Sequence, residues 1–180
     1  MEISIEQREK NCSLFISKLI KLGVDTTKIE QNIKNELINA TYSNNNFISV
    51  SGEGTLLHVV LRILTPLAIK IHEITEEEIN LESLIKVCLL SQISKALMFK
   101  KNEKDNSFSY ASFPYAMRMG LRSVAMCQKF NIPLTDEEIE AMTILDGDNE
   151  DDYKKFYCSP MATIIRTAND LTNMKIKKIK

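Results

Sequence analysis

The chain predicts an all-α fold. Three observations carry that prediction. Apolar residues recur at helical spacing through nearly every segment, helix start and stop signals bracket those segments, and only one short stretch alternates as a strand does.

The first helix is expected over Ile5 to Leu22, with Cys12, Phe15, Ile16, Leu19 and Ile20 as its stripe and Gly23 as its stop. A second runs from Thr26 to Thr41 on Ile29, Ile33, Leu37 and Ile38. Tyr42 to Gly54 is rich in Ser, Asn and Gly and reads as a loop, with Phe47-Ile48-Ser49-Val50 as an apolar patch that pins it to the core. A third helix, Thr55 to His72, is apolar almost all round and therefore central, and Pro66 kinks or divides it. The fourth, Leu81 to Phe99, turns Leu84, Ile85, Val87, Cys88, Leu89 and Leu90 inward.

Lys100 to Ser107 is a polar turn, and Phe108 to Phe113 alternates aromatic and small residues, which favours a strand or hairpin arm ended by Pro114. Met117 to Phe130 is the fifth helix. Thr135 with Glu138 three residues on is a capping box that begins the sixth. After an acidic loop, Asp146 to Asp152, Ser159 and Pro160 open a last helix that reaches about Lys177. The whole is a bundle of about seven helices with room for one short β-hairpin near Phe108 to Tyr115.

At 180 residues, 44% apolar and 26% charged, the chain suits one compact globular unit. A formal net charge of -1 argues against nucleic acid as a partner. No apolar run is long enough to span a membrane, and the opening residues are not those of a signal peptide. Cys12, Cys88, Cys127 and Cys158 have no metal-ligand spacing, and Cys88 and Cys127 lie in apolar helical patterns as buried thiols. The expected location is cytoplasmic and reducing. Asp146, Asp148, Asp151 and Asp152 lack the glycine and closing glutamate of a calcium loop and read as a solvated acidic loop. The lysines from Lys175 to Lys180 read as a solvated helix end.

Several ordered landmarks resemble the HD-domain metal-dependent phosphohydrolases. They are Gly54-Thr55-Leu56-Leu57-His58, then Leu89-Leu90-Ser91-Gln92-Ile93-Ser94-Lys95, then Phe113-Pro114-Tyr115 with Arg122-Ser123-Val124. Pro133-Leu134-Thr135-Asp136-Glu137-Glu138-Ile139, Leu145-Asp146-Gly147 and Arg166-Thr167-Ala168-Asn169-Asp170 follow. A bacterial and phage-associated branch of that family is the nearest in pattern. The resemblance covers roughly Phe47 to Asn173, and divides the chain into an N-terminal helical extension, 1–46, and an HD-like helical domain, 47–180, within one compact unit.

In the family a first His, a His-Asp pair after Leu-Leu, and a final Asp hold the metal. Here His58 stands at the first position. Ser91 and Gln92 replace the pair, and Asn169 stands at the last, with Asp170 one residue out of register. A hydroxyl and neutral amides are poor ligands for a hard cation. Without the cation nothing lowers the pKa of an attacking water.

The resemblance therefore implies a catalytically inactive relative, with no metal or other cofactor. Its former active-site cavity, lined by His58, Ser91, Gln92, Lys95, Asn169 and Asp170, would bind a partner protein or a phosphorylated, nucleotide-like small molecule. Arg118, Arg122 and Arg166 are candidate phosphate-binding groups. The plainer reading pairs them with acids such as Asp146 and Asp148. His58 on an apolar helix is more readily a core histidine than a ligand, and His72 reads as a surface residue.

Two alternatives stand beside this reading. One is a divergent phosphohydrolase, a nucleotide phosphatase or phosphodiesterase, using His58 and Asp170, with Asp146 as a further candidate, around one weakly held Mg²⁺ or Mn²⁺. The other is a structural or regulatory homo-oligomer.

Overall fold

The computed structural model describes residues 4–42, 55–101, 108–110, 118–146 and 158–177. The fold is an all-α bundle. Its helices are α1 (Ile5–Lys21), α2 (Thr27–Asn39), α3 (Leu56–Val59), α4 (Thr65–Thr75), α5 (Leu81–Leu90), α6 (Met119–Lys129), α7 (Asp136–Thr143) and α8 (Pro160–Lys177).

Local chemistry sets most of the helix ends. Ser4 caps α1, its Oγ accepting from the Gln7 N–H at 3.2 Å. At the other end Gly23 takes φ 74°, which lets its N–H reach the Ile20 carbonyl and the Val24 N–H reach that of Leu19, each at 3.0 Å. Those two bonds are the Schellman pattern, and the positive φ is why glycine stands there. Asn80 caps α5 through the Ser83 N–H at 3.1 Å. The expected capping box opens α7, with Thr135 and Glu138 each bonding the other's backbone N–H. Ser159 and Pro160 open α8 as expected, the Ser159 Oγ accepting from the Ala162 N–H at 3.3 Å.

Two stretches depart from the expected helices. The path from α3 to α4 is continuous, but Val60–Leu64 is a π-helical turn. Pro66 has no N–H, and in a regular helix its ring would press on the carbonyl four residues back. Widening the turn relieves that pressure, and Thr65 Oγ1 donates to the Val60 carbonyl at 2.8 Å.

The second departure follows α5. Leu81 to Phe99 reads as one helix by pattern, but α5 stops at Leu90. A 3₁₀ turn, Ile93–Leu97, follows, and Phe99 enters a strand. The hairpin pairs β1 (Phe99–Lys101) with β2 (Phe108–Tyr110), antiparallel, in the register Phe99 to Tyr110, Lys100 to Ser109 and Lys101 to Phe108. The arm at Phe108 matches expectation. Its partner comes from residues that read as a helix end and a turn.

The core lies around α5, where Leu84, Val87, Cys88, Leu89 and Leu90 are all buried. α4 packs on α5 and α8, α7 packs on α8 and α6, and α1 rests on α2 and α3. Phe15 and Leu19 from α1 and Ile29 and Leu37 from α2 join the same buried cluster. Cys88 and Cys127 are buried thiols, and burial pushes both pKa values up to about 12. Among the described residues no helix is long and apolar enough to cross a membrane.

Candidate functional site

A small polar site sits just beyond the C-terminal end of α5. Ser91 ends the helix and Gln92 begins the 3₁₀ turn. Such a turn has about three residues per turn, so residues i and i+3 eclipse. Gln92 and Lys95 therefore lie on one side. The Lys95 N–H bonds the Gln92 carbonyl at 3.0 Å, which closes the turn. Ser94, between them, locks the turn against α6: its N–H donates to Ser123 Oγ at 3.3 Å and its Oγ to the Met119 carbonyl at 3.1 Å. Ser123 Oγ donates back to Ser94 Oγ at 3.0 Å. These bonds are buried or half-buried, and they fix the backbone that presents Lys95.

Asn169 comes to the same place from α8. Its Oδ1 accepts from Gln92 Nε2 at 3.4 Å and from the Tyr42 hydroxyl at 2.9 Å. The Tyr42 ring lies beneath Lys95, with Nζ 3.4 Å from the ring centroid. Tyr42, Gln92, Lys95 and Asn169 are all buried. Burial raises the pKa of the Tyr42 phenol, and the neighbouring Asp170 charge adds to the shift, so the hydroxyl stays protonated and donates. Gln92 is fully buried, yet its Oε1 has no hydrogen-bond partner. A buried acceptor left open in this way costs roughly 1–3 kcal/mol.

The other expected site residues fall in different places. Ser91 is buried, but its Oγ turns back onto its own helix, to the Cys88 carbonyl at 3.4 Å. Asp170 is exposed, while Asn169 one residue earlier is inward. His58 is half-buried on α3. Arg166 is half-buried on α8, one turn before Asn169. On α6, Arg118 is exposed at the N-cap and Arg122 half-buried a turn later. His72 departs from a surface reading: it is half-buried, with Nδ1 shielded and unpartnered. Phe47 to Val50, Phe113 to Met117 and most of the acidic loop after Asp146 lie outside the described residues.

Taken together, the residues at the positions that the resemblance would assign to a metal do not fit a divalent ion. Only His58 among them offers an imidazole; Ser91, Gln92 and Asn169 offer neither carboxylate nor imidazole, and the Asn169 oxygen already accepts two hydrogen bonds. Among the described residues no three His, Cys, Asp or Glu side chains cluster as a metal site would require. What the arrangement offers instead is one buried ammonium, one open amide acceptor and a tyrosine.

Tyr42 is the member that sequence reasoning missed. It opens a polar stretch and reads as loop. Its one signal is that it directly follows the last residues of an amphipathic helix. The backbone leading into it is held by a bridge between Thr41 and Thr55 and by the Leu56 N–H on the Ala40 carbonyl at 2.9 Å.

Comparison with family models, curated proteins and solved structures returns no match for this chain.

Proposed function

We propose that this chain is a catalytically inactive HD-like protein that binds a phosphorylated, nucleotide-like small molecule at the site of Gln92, Lys95 and Asn169. One observation carries the reading. Gln92 and Asn169 are 77 residues apart in the chain, stand where the resemblance puts two metal-binding aspartates, and meet at 3.4 Å. Charged ligands at both positions would suit a cation. Neutral amides that bond each other suit a site that has given the cation up. Lys95, buried beside them, supplies positive charge for a phosphate without a metal.

The test is the metal content of the purified protein, followed by thermal melts with Mg²⁺, Mn²⁺ and a panel of nucleotides and sugar phosphates. Stabilisation by a phosphorylated compound without metal is the expected result. Near-stoichiometric metal, or a metal-dependent rise in melting temperature, would overturn the reading in favour of a divergent phosphohydrolase. Silence from every compound would overturn it in favour of a protein partner.

A further inference from the structure

The outer face of α8 carries an uncharged stripe. Thr163, Thr167, Leu171 and Met174 recur at helical spacing and are all exposed, Leu171 by 41% and Met174 by 57%. The helix packs on α4, α5 and α7 through the opposite face, where Ile165, Ala168 and Thr172 are buried. The stripe also has no hydroxyl proton to offer. Thr163 Oγ1 donates to the Ser159 carbonyl at 3.2 Å and Thr167 Oγ1 to the Thr163 carbonyl at 2.9 Å, both within the helix. We propose that this face docks a second copy of the chain, the two α8 helices lying antiparallel about a two-fold axis. The inference goes beyond the ligand site and does not depend on it.

Charge settles both the occupant and the direction. Arg166 and Asp170, one turn apart, run along one flank of the stripe. Antiparallel helices related by a two-fold axis bring the same flank of each together, whereas parallel ones bring opposite flanks together. The charge pair is centred on Ala168, and the stripe from Thr163 to Met174 is centred beside it. A single register therefore stacks the two stripes and sets Asp170 of each copy against Arg166 of the other. Arg166 also interacts within its own chain, and a guanidinium has enough N–H donors to hold a second partner. About three turns of helix bury less than the roughly 1,200 Å² of a stable interface, so the dimer is weak, with a dissociation constant on the order of tens of micromolar.

Sedimentation equilibrium of the full chain, without ligand, is the test. The average mass of the wild type should climb toward that of a dimer as concentration rises, and climb less steeply in about 0.5 M salt. Leu171→Glu sits at an exposed position, leaves the core alone, and should weaken association at least about tenfold. Asp170→Arg and Arg166→Asp should each do the same, because the flank then carries like charges. Mixed in equal amounts, those two variants should associate again, since each supplies the charges that the other needs.

A wild type that stays monomeric at every concentration overturns the proposal, and so does a dimer that Leu171→Glu leaves intact. A mixture that stays monomeric overturns the antiparallel pairing, and the proposal with it. Should Arg166→Asp fail to fold at its half-buried position, Asp170→Arg alone still decides, because a dimer that it leaves intact overturns the charge pairing.

Discussion

Two buried polar clusters flank α5, and they are built on opposite terms. On one side Lys86, from the middle of the helix, donates to Glu138 Oε2 at 2.9 Å and to the Pro133 carbonyl at 2.7 Å. The same Glu138 oxygen accepts from the Thr135 N–H at 2.9 Å. This cluster is charged, its carboxylate is 2% exposed, and neither side chain leaves a buried polar atom without a partner. Past the end of α5 the Gln92, Asn169 and Tyr42 cluster is neutral, has a cation beside it, and leaves Gln92 Oε1 open. A saturated network is a structural device that ties α5 to α7. An unsaturated one carries a cost that folding does not recover, and such sites are where binding is to be sought.

The saturated cluster should be the more costly to break. Lys86→Met leaves the Glu138 carboxylate buried without its cation, and breaking such a pair from one side costs about 3 kcal/mol. Urea unfolding of the variant against wild type measures this. A loss below about 1 kcal/mol would place the pair with ordinary surface ion pairs and erase the contrast between the clusters.

Asn169→Leu is the matching cut in the neutral cluster. It strips one acceptor from two donors, the Tyr42 hydroxyl and Gln92 Nε2, and should cost about 2 kcal/mol in the same assay. Of the two bonds, the 2.9 Å contact to Tyr42 should carry most of that loss. Tyr42→Phe alone should therefore cost about 1 kcal/mol at neutral pH.

The two clusters also differed in how far the sequence disclosed them. Thr135 and Glu138 announce themselves because a capping box is local, two residue types at a fixed spacing before an apolar run. The all-α class was legible for the same reason, as were Ser159 with Pro160 and the stop at Gly23. The neutral cluster is assembled from contacts across 77 and 127 residues, and no spacing rule reaches that far. Ile93 to Leu97 carries a pattern that continues a helix, so the change to a 3₁₀ turn, which sets Lys95 beside Gln92, was hidden. Tyr42 was hidden too, because composition marks its segment as loop. Gln92 and Asn169 were named from the resemblance. Their meeting, and the inward turn of Asn169 over Asp170, needed the packing of α8.

Alkaline pH sharpens the comparison from another side. Burial raises the pKa of Tyr42, Cys88 and Cys127 in the folded state. A group whose folded pKa is raised contributes its full stability below its unfolded pKa and loses it as pH climbs towards the folded value. Stability should hold to about pH 8, where unfolded cysteines begin to ionise, and then fall, with the tyrosine adding to the slope above about pH 10. Tyr42→Phe should lessen that fall above pH 10 and leave the cysteine part in place. An unchanged alkaline slope in Tyr42→Phe would mean that the phenol is not shielded in the folded chain.

The smallest effect on stability should come from Gln92, and it separates structure from binding most cleanly. Gln92→Met nearly keeps the volume, removes the long 3.4 Å bond to Asn169, and also removes the buried oxygen that has no donor. Losing a weak bond and an unsatisfied acceptor together should leave stability within about 1 kcal/mol of wild type, on either side. Binding of a phosphorylated compound should respond differently, because the lost oxygen is the open acceptor of the proposed site. An unchanged melting temperature with binding weakened about tenfold is the expected pair of results. A loss of more than about 2 kcal/mol with binding intact would make Gln92 a structural residue like Glu138, and the two clusters would then be alike.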